Sequence, residues 1–502
     1  MSNHLYDALF APHAGSEAPF LHFADGGVLS YGGFVDMAAG YAGALTELGI
    51  KPGDRVALQI SKCPDMLALI AGCIQAGIVF LPLNTAYTAA ELSYFVENSG
   101  ARLLVCDPEK ADDYRSMTDG LGVGLETMAW GTGTLQERAQ AVTDDVPVEP
   151  RGADDLAAFL YTSGTTGRSK GAMLSHDNLL SNAQVLVDAW GFTGEDVLLH
   201  ALPIFHTHGL FVGSNVMLLV GGSMIFLPKF YRDAVVALLP KATSMMGVPT
   251  FYTRLLDDGR LTPDLVSNIR LFVSGSAPLL AETHVAWEDR TGHRILERYG
   301  MTETNMNTSN PYQGERKPGT VGPALPGVEV KVCDPESGET LPQGEIGVVE
   351  VRGPNVFQGY WQMPEKTAAE LRDDGFFITG DLGYLDNDGY LVIVGRGKDL
   401  IISGGFNIYP KELELVLDAQ PGVLESAVVA APHPDFGESP VAVIVPAHKA
   451  QPDLDAIAEA MRTELAAFKQ PRQYVLRDAL PRNTMGKVQK ADLRKELEGL
   501  FT

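Results

Sequence analysis

The sequence predicts an α/β protein: a large N-terminal domain of α/β layers with a small β-rich lobe, followed by a small α+β C-terminal domain. Three observations carry this. Apolar strand-like runs alternate with helical patterns through the first half, the signature of layered, largely parallel sheets. From Gly319 onward, short strands are punctuated by glycine and proline. At Gly395-Arg396-Gly397-Lys398-Asp399 a short charged stretch flanked by glycine marks a boundary, and the roughly 100 residues beyond it make an ordinary domain. The two domains are therefore expected at 1–397 and 398–502.

Taken in order, residues 55–60 read as a strand, 66–75 as a helix and 78–83 as a strand. Residues 89–98 place apolar side chains at helical spacing, and 102–106 form another short strand. An apolar strand at 156–161 leads into a glycine-rich loop, and a helix starts near Ser175. Residues 197–204, 222–227 and 271–274 continue the strands, the last ending at Gly275 as a strand entering a ligand-facing turn does. The longest apolar region, 212–228, is broken by Gly213, Ser214, Gly221, Gly222 and Ser223. It is too short and interrupted to span a bilayer, so buried core strands are expected there. The β-rich lobe is read from 328–332, 347–351 and 390–394. Past the boundary come strands at 400–402, 424–431 and 439–446, with helices at 411–418, 453–467 and near 490–499.

Composition narrows the partners. The 502 residues are 45% hydrophobic and 20% charged, an ordinary globular balance. Lys and Arg total 38 against 63 Asp and Glu, a formal charge of -25 that repels nucleic acid and anionic membranes. No basic patch offsets it, so neither partner is expected. The four cysteines show no metal-ligand spacing and read as reduced thiols in a cytoplasmic chain. The N-terminus lacks the pattern of a secretory signal.

The segment Tyr161-Thr162-Ser163-Gly164-Thr165-Thr166-Gly167-Arg168-Ser169-Lys170-Gly171 carries the first chemistry. Its glycines let backbone approach a polyphosphate, its hydroxyls and amides donate hydrogen bonds, and Arg168 and Lys170 bring positive charge. The spacing is not that of a Walker A loop. On its own the segment also fits a flexible surface loop.

Six further motifs follow in order: Ser274-Gly275-Ser276-Ala277-Pro278-Leu279, Tyr299-Gly300-Met301-Thr302-Glu303, Thr379-Gly380-Asp381, Gly395-Arg396, Gly404 to Pro410, and Pro481 to Lys487. With the loop they resemble the signature of the AMP-forming adenylate-forming superfamily over nearly the whole chain. The resemblance implies ATP, Mg²⁺ and coenzyme A as co-substrates and cofactor, and a mobile C-terminal domain. It implies that Thr162, Ser163, Gly164, Thr165, Thr166, Gly167 and Lys170 cradle phosphates. Tyr299 would stack on adenine, lined by Gly275, Ser276, Ala277, Glu297, Arg298 and Gly300. Asp381 and Arg396 would serve the ribose, Thr302 the α-phosphate, and Glu303 the metal. Lys487 would touch carboxylate and phosphate in the first step. Lys398 would be the hinge that later brings Ser403, Gly404, Gly405 and Phe406 to the thiol. Read singly, Tyr299 fits a core residue and Asp381 a turn residue.

Within the superfamily the sequence is most similar to malonyl-CoA synthetases, through His206-Thr207-His208-Gly209-Leu210 and the run from Glu297 to Asn310. The product would serve fatty acid metabolism. Malonate keeps a second carboxylate that must not be buried unpaired. Arg298 can clamp it, with Ser276 as second donor; alternatively Arg298 pairs with a structural carboxylate. Thr207 and Met306 would bound the pocket, making methylmalonate or another short acid the near alternative, and His206 resembles a gating residue. His206 and His208 have no third partner for a metal. Two other readings compete: an enzyme that loads a carrier protein, and a silent nucleotide-binding module. Lys487 is also a candidate target for a lysine acetyltransferase, since acetylation removes its charge.

Overall fold

The computed structural model describes residues 2–144, 146–162, 169–403, 406–447, 452–483 and 486–501. Ser163, Gly164, Thr165, Thr166 and Gly167 of the phosphate loop, and Gly404 and Gly405, lie outside the described residues.

Two large sheets build the N-terminal part. One has six strands, in the order Gly124–Thr127, Leu103–Cys106, Arg55–Gln59, Val79–Pro82, Leu156–Thr162 and Lys170–Ser175. The other has eight, running from the edge strand Asn305–Ser309 through Leu296–Met301 and Leu271–Ser274 to Val28–Ser30. Both are parallel inside; the eight-stranded sheet is antiparallel at both edges, and the six-stranded sheet only where Lys170–Ser175 joins it. Their parallel strands are apolar on both faces, as helix-covered strands must be: Val79–Pro82 and Leu103–Cys106 are buried throughout.

The expected strands mostly recur within a residue or two. The glycine-rich loop differs, because it joins two antiparallel strands, Leu156–Thr162 and Lys170–Ser175, before the helix His176–Trp190 begins. Ser175 caps that helix by accepting the Asn178 backbone N–H, while Asn178 returns the bond. The 212–228 region is also corrected. It holds a π-helix, His208–Ser214, and an α-helix, Asn215–Val220, before the single strand Ser223–Phe226. A continuous apolar run has no period to separate a buried helix from a buried strand.

Four antiparallel strands from Glu329–Cys333 to Leu391–Arg396 make the β-rich lobe. Beyond it a five-stranded sheet centred on Val423–His433 and Gly437–Pro446 packs two apolar clusters of its own, all from Ile401 onward. The main cluster runs from Leu5 to Leu391.

Candidate active site

The strand Leu296–Met301 and its antiparallel partner Asn305–Ser309 form the hairpin that presents Glu297, Arg298, Tyr299, Gly300, Thr302 and Glu303. Its turn is tight. A Cβ on Gly300 would stand 1.8 Å from the Asn305 carbonyl oxygen and 2.6 Å from Cε of buried Met306, so glycine is required. The parallel neighbour Leu271–Ser274 ends at Gly275, and here the Arg298 side chain covers the backbone: a Cβ on Gly275 would lie 2.4 Å from the guanidinium Cζ. Ser276 follows with φ at 70°, a left-handed backbone that non-glycine residues rarely adopt except where a site holds them. Half-buried Ala277 comes next.

Arg298 is 4% exposed, yet its Nε and Nη2 have no hydrogen-bond partner among the described residues. Burial pulls its pKa down to about 9, opposed by the Tyr252 hydroxyl and by no carboxylate. It remains charged at neutral pH. An unpaired buried ion costs several kcal/mol, against the ~1 kcal/mol an ordinary exposed ion pair returns. Pairing with a structural carboxylate, the alternative left open by the sequence, is absent among the described residues.

Thr207 Oγ1 and His208 Nε2 are also buried without a partner among the described residues. His208 Nδ1 lies 3.2 Å from Ser276 Oγ. With the hydroxyl donating to Nδ1, the ring carries its proton on Nε2 as a free donor. His208 opens the π-helix and Thr207 precedes it; such helices recur at functional sites. Burial, then the Lys487 and Arg298 cations, lower the His206 pKa to about 3, so that ring is neutral. Among the described residues no group of three or more His, Cys, Asp or Glu could hold a metal.

Among the residues expected to hold the nucleotide, the Tyr299 hydroxyl donates to Asp381 Oδ2 at 2.5 Å, and Arg396 Nε lies 2.7 Å from Asp381 Oδ1. Asp381 and Arg396 face each other in register across the strands Phe377–Leu385 and Leu391–Arg396. The buried Glu297 carboxylate accepts the Leu279 backbone N–H at 3.1 Å, and burial raises its pKa to about 8. Thr162 pairs with Lys170 across the mouth of the phosphate loop. Thr302 is half-buried at the hairpin turn.

Sequence reasoning missed two residues beside Glu303. The buried Tyr360 hydroxyl lies 3.0 Å from Glu303 Oε1 and 2.8 Å from Glu370 Oε2. Lys170 Nζ lies 3.4 Å from the same Glu370 oxygen and 4.1 Å from the Tyr360 ring centroid. Neither residue belongs to a motif with a chemical spacing of its own. They arrive because backbone at 358–361 pairs with the strand Lys170–Ser175, through bonds such as Trp361 N–H to the Gly171 carbonyl at 2.8 Å.

Lys487 enters from the C-terminal part. Asn483 Oδ1 accepts its backbone N–H at 3.0 Å. The turn rests near the helix Pro249–Leu256, where a Cβ on Gly486 would be 3.7 Å from Thr250 Oγ1. The side chain stays accessible to water, but desolvation and then Arg396 lower its pKa, partly offset by Asp381 and Glu303. It therefore shares a centre with Arg396, Asp381, Glu303, Arg298 and His206. Ser403 and Phe406 pair with each other in a hairpin, and the exposed Phe406 ring stacks on Phe468 at 4.7 Å. Arg494 Nη1 donates to the Lys398 carbonyl at 2.9 Å, and its Nη2 to Asp399 Oδ1 at 2.8 Å.

Residues 11–361 match the AMP-binding enzyme family, and 412–487 match the AMP-binding enzyme C-terminal domain. A crystal structure of ATP-bound MatB from Rhodopseudomonas palustris is similar over 100% of both chains, with 54% identity and a TM-score of 0.98. The apo structure of MatB, with the same identity and coverage, gives 0.86, so the arrangement here follows the ATP-bound form. A malonate–CoA ligase of Arabidopsis thaliana is 34% identical over 90% of this chain and 79% of its own length. A feruloyl-CoA synthase of an Amycolatopsis species is 37% identical over 94% of each.

Proposed function

This chain belongs to the AMP-binding enzyme family, and from that premise we propose that it is an AMP-forming acid–thiol ligase joining malonate to coenzyme A. The carrying observation is the buried, unpartnered Arg298 with the free polar atoms of Thr207 and His208. Feruloyl and malonyl relatives share the framework, so likeness alone does not choose the acid. A buried cation awaiting an anion favours a dicarboxylate.

In the first step one malonate carboxylate oxygen attacks the α-phosphorus of ATP, the bond to the bridging oxygen breaks, and pyrophosphate leaves. Arg298 and the His208 Nε2–H hold the other carboxylate. Lys487 draws the two anions together, which is the main electrostatic task of the step. Tyr299, Asp381 and Arg396 hold adenine and ribose. Glu303, a hard oxygen donor, would hold magnesium beside the ATP phosphates. When bound, magnesium supplies charge neutralisation on the phosphates.

In the second step the CoA sulfur attacks the acyl carbon and AMP departs. In this step Lys487 gives way at the reacting centre to Ser403 and Phe406. One small domain serves both steps if it turns about Lys398, with the boundary at 397/398. Gly404 and Gly405 would then accompany Phe406. Thr207 and Met306 bound the pocket, and methylmalonate, one methyl larger, is the near substrate.

Four buried free cysteines fit a cytoplasmic setting, and no helix among the described residues is long and apolar enough to cross a membrane. Lys487, reachable by solvent, is our candidate for acetylation; full activity and an unmodified Lys487 peptide after acetyltransferase treatment would exclude it. The reaction is tested by AMP release with ATP, Mg²⁺ and CoA across malonate, methylmalonate, succinate, acetate and octanoate. Malonate should lead. A monocarboxylate preference would remove the Arg298 clamp, and no turnover would remove the ligase.

A further inference from the structure

Lys170 closes the phosphate loop, but its ammonium points at a carboxylate. Glu370 Oε2 lies 3.4 Å from Lys170 Nζ, well beyond the roughly 2.7–2.9 Å of a tight charge-assisted hydrogen bond. The contact is loose. Glu370 has closer partners: Lys366 Nζ at 2.6 Å and the Tyr360 hydroxyl at 2.8 Å. It therefore stays paired when Lys170 departs. Among the described residues Lys170 has no such reserve, since its remaining contact there is the face of the Tyr360 ring at 4.1 Å.

The surrounding backbone fixes this arrangement beside Glu303. The Phe357 N–H donates to the Glu303 carbonyl at 2.8 Å, and Met173 donates its N–H to the Gly359 carbonyl and accepts the Gln358 N–H, both at 3.0 Å. Tyr360 thus stands between Glu303 and the phosphate-loop strand, and its hydroxyl touches both carboxylates. A lysine held there sits beside the place where the β- and γ-phosphates of ATP would come.

We propose that Glu370 is a removable counter-ion for Lys170, holding it next to Glu303 until the outer phosphates of ATP displace the carboxylate and take the lysine. Tyr360 and Lys366 keep Glu370 in place for the lysine's return. Glu370 is a positioning residue, because it acts through Lys170 and does not touch substrate. The inference rests on the ligase reading above.

The test is calorimetric binding of Mg·ATP, and separately of AMP, without acid or CoA, to the full chain. Glu370→Gln should tighten Mg·ATP about two- to fivefold, the scale of one exchanged ion pair, and leave AMP unchanged because AMP lacks the outer phosphates. In a Lys170→Met background the same change should give no gain. Glu370→Ala, checked for an unaltered melting temperature, should repeat the direction. Unchanged or weaker Mg·ATP binding, or an equal gain without Lys170, would overturn the inference. If the unaltered chain bound neither nucleotide, the ligase reading itself would fail.

Discussion

The guanidinium of Arg298 lies over the backbone of Gly275, at a distance that leaves no room for a methyl group: a Cβ would sit 2.4 Å from Cζ and 2.6 Å from Nε and Nη1. Glycine at the end of one strand thus sets where the cation of its neighbour points. Gly275→Ala should displace the guanidinium. The malonate KM should rise more than the ATP KM; an equal rise in both would mean that the glycine serves the nucleotide alone.

Arg298 is kept at a cost to the free protein. Replacing even a buried ion pair by apolar groups of similar size is often neutral or stabilising by about 1–4 kcal/mol, and an unpaired ion has no Coulombic attraction to lose. Arg298→Met should therefore melt at the same or a higher temperature than the unaltered chain while losing malonate turnover. A clear fall in melting temperature, measured by calorimetry without ligands, would show a structural role.

Lys487 shares its centre with Asp381, Glu303, Arg396 and Arg298, while Ser403 and Phe406 pair with each other in a hairpin. Lys487→Ala should abolish adenylation, followed as malonate-dependent pyrophosphate exchange. Thiol transfer from supplied malonyl-adenylate should remain largely intact. Equal loss of both steps would refute the exchange of residues between them.

Desolvation and Arg396 lower the Lys487 pKa, so its positive charge is lost at a lower pH than an ordinary lysine's as pH rises. The adenylation rate should accordingly fall on the alkaline side, below the usual lysine range near 10.4. The thiol-transfer step should lack that limb, and Lys487→Arg, if active, should move it upward. An unchanged limb in the arginine variant would assign it to another group.

The motifs that lie close together in the chain were legible without a structure. Tyr299, Thr302 and Glu303 share one hairpin, and Asp381 faces Arg396 across two strands of one sheet. What could not be read depends on distant partners. Glu370 meets Lys170 across 200 residues, and Tyr360 meets Glu303 across 57; neither has local spacing that marks chemistry. The pairing of His208 with Ser276 was hidden for a different reason. It depends on a π-helix that runs into an apolar region whose pattern reads equally as strand. The strand Lys170–Ser175 was missed because it begins inside the phosphate motif and ends at a helix cap.

The most direct test of the Arg298 clamp is the ratio of kcat/KM for malonate to that for acetate, compared between the unaltered chain and Arg298→Met. Breaking a buried, hydrogen-bonded charge pair costs about 2–5 kcal/mol, so malonate should lose roughly thirtyfold or more. Acetate, with no second carboxylate, should change little. A proportional loss with both acids would contradict the clamp and leave Arg298 as part of the common machinery.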